Sequence, residues 1–118
     1  IDEKRVEFSL AANGMVGFET ALPLAVTKLV KPGIITMKKL VEKMSFNPAR
    51  LLGISKGTLE PGSTADITIV DIDAKFTVDP VRFESRSKNS PFGGMELYGL
   101  VWCTIVNGRP VVSEGVLL

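Results

Sequence analysis

The chain has 118 residues, 45% of them hydrophobic, which is enough to form a core and unlike the composition of a disordered segment. Fourteen Lys and Arg against thirteen Asp and Glu leave a net charge of +1, so charge offers no argument for nucleic acid or an anionic membrane as partner. There is no histidine, and the lone Cys103 excludes an internal disulfide and points to a reducing, cytoplasmic setting.

The chain opens on Ile1 rather than methionine and carries no signal-peptide pattern, and it reads as a piece of a longer protein. No apolar stretch approaches the roughly 18 residues of a spanning helix. Asp2, Glu3 and Glu7, interleaved with Lys4 and Arg5, form a solvated approach segment. The stretch LAANGMVGFET at Leu10 to Thr20 follows, where Gly14 and Gly17 permit positive φ and a close approach of backbone to a ligand. Leu22, Val26, Leu29 and Val30 line one face of a helix predicted over 19–31. Pro23 is compatible with its first turn, and Pro32-Gly33 ends it after Lys31. A second helix is expected over 36–45, capped by Thr36, with Met37, Leu40, Val41 and Met44 inward and Lys38, Lys39 and Lys43 on the solvated side. Asn47 as cap and Pro48 at the first helical position predict a third over 48–52.

From Gly57 onward the pattern is that of strands, expected at 57–60, 65–71, 100–106 and 109–113. Pro61-Gly62 suits the centre of a type II turn, and Asn107-Gly108 a two-residue hairpin turn. Pro110 fits only an edge, or a place where its missing N–H is not needed. Ile67, Ile69, Trp102 and Ile105 are expected to be buried, with Cys103 as a structural thiol. Ser85 to Gly94 reads as a long polar loop. Asp66, Asp71 and Asp73 read as solvated or turn-forming, because an oxygen-only metal site needs more converging donors.

Short strands with one apolar face need a second layer, yet the helices here precede the strands in a block. Three stretches supply a context. LLGISKGTLEPGSTADITIVD at Leu51 to Asp71, with Asn47-Pro48-Ala49-Arg50 before it, is similar to a segment that recurs across amidohydrolases. NSPFGGMELYGLVWCTIVNGRPVV at Asn89 to Val112 and GMVGFETALPL at Gly14 to Leu24 narrow the resemblance to the C-terminal third of class I dihydroorotases. It covers almost the whole chain.

The resemblance implies an α+β fragment: terminal helices of a metal-dependent (β/α) barrel in residues 1–56, then half of a composite small β domain in residues 57–118. It implies the reversible cyclisation of N-carbamoyl-L-aspartate to dihydroorotate, in pyrimidine biosynthesis. The cofactor would be zinc, with its histidine ligands and the catalytic aspartate all outside this chain. No catalytic or metal-ligating residue is therefore assigned here, and the chain alone is expected to be inactive. The implied substrate-binding residues are Asn13 and Gly14, since the corresponding stretch commonly reads A-P-F-G and its last two residues touch substrate. This sequence has Ala12 in place of the proline and Asn13 in place of the phenylalanine. Further implied partners are the rest of the same protein, aspartate transcarbamoylase and further copies in a homo-oligomer. Two alternatives stand beside this reading: another cyclic amidase (an allantoinase or hydantoinase), and an inactive homologue serving as a scaffold for aspartate transcarbamoylase.

Overall fold

A computed structural model describes residues 2–11 and 13–118; Ile1 and Ala12 lie outside the described residues. Helix α1 spans Phe18–Ala25 and continues as a π-helical turn over Val26–Val30. Pro23 is its sixth residue, past the first turn in which the sequence pattern puts it. There it removes the N–H that would bond the Glu19 carbonyl, and the helix relaxes into the wider turn that follows. Gly33, at φ +76°, then ends it by donating to the Val30 carbonyl.

The second and third helices are continuous. Helix α2 (Met37–Val41) passes through a π-helical turn (Glu42–Phe46) into α3 (Asn47–Leu51). Thr36 caps α2, its hydroxyl accepting the Lys39 N–H at 3.2 Å. Asn47 is not a cap: it has helical φ and ψ because Phe46 before it is helical too. The helix closes at Gly53, φ +65°, with the Ile54 N–H reaching back to the Ala49 carbonyl at 3.0 Å.

The expected strand at 57–60 does not form. Gly57 packs against Ser45 and Phe46 instead, and the Ser63 N–H closes the turn over Pro61-Gly62 onto the Glu60 carbonyl. One antiparallel sheet follows, in the order β1 (Ile67–Thr77), β2 (Glu96–Val106), β3 (Arg109–Ser113) and β4 (Val116–Leu117). β1 and β2 outrun the expected strands, at 67–77 and 96–106, and β4 was not anticipated. It arises because Glu114-Gly115, both at positive φ, forms a second two-residue hairpin turn after Asn107-Gly108. Pro110 sits beside a bulge between the Thr104 and Ile105 pairings, where the ladder is interrupted.

A bulge also overturns two burial expectations. Ile69 pairs with Cys103 and Val70 with Val101, leaving Trp102 without a partner on β1. The extra residue lies in β2, and past it the covered face of β1 is the one bearing Val70, Ile72, Ala74 and Phe76, which are half-buried, while Ile69 is 44% and Trp102 45% exposed. Ile67 and Ile105 are half-buried and Cys103 is buried.

α1 docks on β2. Val26 is wholly buried against Gly99, where an added Cβ would lie 2.9 Å from its side chain. The Thr27 hydroxyl accepts the Tyr98 N–H at 2.8 Å and donates to the Tyr98 carbonyl at 3.4 Å. Lys31 lies 4.7 Å from the Tyr98 ring centre and pairs with Asp73 at 2.5 Å. Among the described residues the buried hydrophobic core is small: Val26, Leu40, Ala49, Val78, Leu97 and Cys103, with Thr20 beside them. The accessible surface is 8712 Å2, against about 6,200 Å2 for a compact globular protein of this size.

Candidate functional site

Residues 13–17 form the loop that leads into α1, and Asn13 and Gly14 are both exposed. Gly14 has φ +86°, the left-handed region that favours glycine, and nothing lies within 4 Å of where a Cβ would stand. Gly17, at φ −137°, precedes the first turn of α1 without a side-chain cap.

The Gly14 carbonyl has two hydrogen-bond partners within the chain. It accepts the Lys4 ammonium at 2.6 Å and the Asn89 carboxamide Nδ2 at 2.9 Å. The Asn89 carbonyl in turn accepts the Val16 N–H at 3.0 Å. The Gly14 N–H belongs to the preceding peptide, and among the described residues it donates to nothing.

Asn89 belongs to the loop between β1 and β2, which is closed at its base where the Gly94 N–H meets the Val78 carbonyl and the Val78 N–H meets the Met95 carbonyl. From that base it folds over the start of α1. The Glu19 carboxylate accepts the Glu84 N–H at 2.9 Å, the Ser85 N–H at 3.1 Å and the Ser85 hydroxyl at 2.8 Å. Partial burial pushes the Glu19 carboxyl up. The Ser85 hydroxyl, the two backbone donors and the nearby Lys88 charge outweigh that and hold it below the usual carboxylate range. Lys88 donates to the Phe83 carbonyl, which keeps it within its own loop. Arg86 is exposed.

Two segments 65 or more residues apart in sequence are thus joined by two clamps, Glu19 with Glu84 and Ser85, and Asn89 with Gly14 and Val16. In the sequence Glu19 reads as a first-turn acid suited to the helix dipole, and Asn89 carries no signal of its own. Both lie inside the motif stretches, but spacing along the chain cannot say that the two stretches meet.

Asp66 and Asp71 accept backbone N–H groups, and Asp73 pairs with Lys31. Asp71 accepts the N–H groups of Asp73 and Ala74 at 2.9 and 3.0 Å, and Asp66 accepts the Asn107 N–H at 2.8 Å and pairs with Lys56. Among the described residues no three His, Cys, Asp or Glu side chains come together to hold a metal ion. The donors present here therefore do not fit a metal centre, and no chemical step is assigned to one.

Comparison with known proteins agrees with the motifs. The chain is 67% identical over 117 residues to a dihydroorotase of Acetivibrio thermocellus, and 61% identical over 118 residues to one of Ruminiclostridium cellulolyticum. These alignments take in 99% and 100% of this chain but 28% of either relative. Among solved structures, the L-hydantoinase (dihydropyrimidinase) of Arthrobacter aurescens superposes with a TM-score of 0.89 at 41% identity, covering 95% of this chain and 25% of that one. The Amidohydrolase family model matches residues 6–111, and the chain belongs to the amidohydrolase family.

Proposed function

We propose that this chain is the C-terminal part of a dihydroorotase, which closes N-carbamoyl-L-aspartate to dihydroorotate and reopens it. The observation that carries the reading is the 67% identity to a dihydroorotase along almost the whole chain. Residues 1–56 would complete a barrel and residues 57–118 would form part of the small β domain beside it. The surface excess of roughly 2,500 Å2 over a compact protein of this size supports such a setting, since it is area that further protein could cover. Zinc, where bound, would supply an activated water; its ligands and the catalytic carboxylate are assigned outside these residues.

Within the chain, Gly14 and Asn13 are assigned to substrate. The Gly14 N–H would donate to a carbonyl oxygen of the pyrimidine ring, and Asn13 would lie beside it. The enzyme would work in the cytoplasm, in keeping with the lone Cys103, and further copies of itself and aspartate transcarbamoylase are its expected partners. The deciding experiment assays the complete protein with dihydroorotate, allantoin and hydantoin side by side. Turnover of dihydroorotate at least about a hundredfold above the others is expected, a ratio set by polar groups placed to match one substrate's edge. Preference for hydantoin or allantoin would move the protein to another cyclic amidase. Turnover of none would favour a scaffold.

A further inference from the structure

Left-handed φ at Gly14 is not imposed by packing, because nothing stands near its Cβ position and glycine leaves that region at little steric cost. Hydrogen bonds must hold it. Asn89 touches the loop on both sides of Met15: its carboxamide donates to the Gly14 carbonyl at 2.9 Å, and its main-chain carbonyl accepts the Val16 N–H at 3.0 Å. Contacts at two points fix the orientations of the two successive peptides that flank Met15. Lys4 adds a second donor to the same carbonyl at 2.6 Å, but on a long, rotatable stem that sets no plane.

We propose that Asn89 is a positioning residue for substrate: by fixing the two peptides that follow Gly14 it holds this residue at its left-handed φ, with the N–H of the preceding peptide left free for the ring carbonyl of a cyclic imide. The inference rests on the function proposed above. A carboxamide suits the task because it supplies a neutral donor to the carbonyl. An aspartate there would be acceptor-only at neutral pH and would oppose the Gly14 oxygen. The anchor comes from the β1–β2 loop, so the ligand loop is registered to the sheet rather than to α1 alone.

The test uses the full-length protein, with Asn89→Ala and the near-isosteric Asn89→Asp. Steady-state kinetics are measured with dihydroorotate, and amide hydrogen exchange is followed over residues 14–17 and, as an internal reference, over α1. Both variants are expected to raise KM about five- to tenfold with kcat within about twofold, the pattern of lost ground-state positioning. Exchange at 14–17 should quicken while that of α1 stays as in the wild type. If Asn89→Ala disturbs α1, the Asn89→Asp arm decides. Unchanged KM in a folded variant, or a loss confined to kcat, would overturn the proposal, and so would unchanged exchange at 14–17. A wild-type protein inactive on dihydroorotate would bring down the functional reading and the substrate role of Asn89 together. Faster exchange in the variants would then still identify Asn89 as what holds the loop.

Discussion

At the scale of single residues, Gly14 and Glu19 carry the sharpest expectations. Gly14→Val in the full-length enzyme should raise KM sharply with kcat nearly unchanged, and Asn13→Ala should do much less, as steady-state kinetics would show. The structure alters the reason. Crowding within this chain plays no part, because space around the Cβ position is open; the cost is the left-handed φ, about 1–2 kcal/mol for an L residue and more for a β-branched one. Glu19→Ala should cost about 1 kcal/mol in a denaturant melt, toward the lower end for a group with three hydrogen bonds because the side chain is exposed. Its pH dependence has a definite sign. The folded-state pKa of Glu19 is depressed, and so is that of Asp66, which is held down first by the Asn107 N–H and then by Lys56. Both contributions are therefore present above the unfolded carboxylate values of about 4.3 and 3.9, and disappear as pH falls through the lower folded values. Stability measured from pH 6 down to pH 2 should decline in that window, and the part due to Glu19 should vanish in Glu19→Ala.

At the scale of elements, the contact between α1 and β2 governs where the loop of Asn13 and Gly14 sits. Gly99 is at φ +95° with its Cβ position 2.9 Å from Val26, so Gly99→Val meets both strain and a buried side chain. A loss of at least about 3 kcal/mol is expected in thermal or denaturant unfolding, at the high end for overpacking. Thr27→Val keeps the shape but removes the hydroxyl that both donates to and accepts from Tyr98, and should cost about 1–2 kcal/mol. Much of this scale was legible in the residues: the two main helical regions, the Thr36 cap, the Asn107-Gly108 turn and the strands at 67, 100 and 109 follow from periodicity and turn chemistry. The continuous passage from α2 into α3 was not. Asn47-Pro48 has the composition of a helix start, but a proline also fits a helix whose preceding turn has already loosened its hydrogen bonds, as the π-helical turn over Glu42–Phe46 has.

At the scale of the whole molecule, the 118 residues by themselves should neither turn over dihydroorotate nor bind zinc stoichiometrically. Isothermal calorimetry with zinc is expected to be flat, and one tight equivalent per chain would contradict the assignment of the metal ligands elsewhere. Family membership and the division between helices and sheet could be read from the sequence alone, because motif residues, caps and alternation are local and each carries its own physical cause. The loop bearing Asn13 and Gly14 could be singled out in the same way, from its glycines and its resemblance. Tertiary structure alone decided the rest. Trp102 and Ile69 turn outward because a bulge changes side-chain phase, and a bulge is settled by two strands meeting rather than by either strand's pattern. Gly14 turns its carbonyl inward because Asn89, 75 positions away, reaches it. Hydrogen bonds between distant segments leave no periodic trace in a chain; only the fold brings their partners within reach.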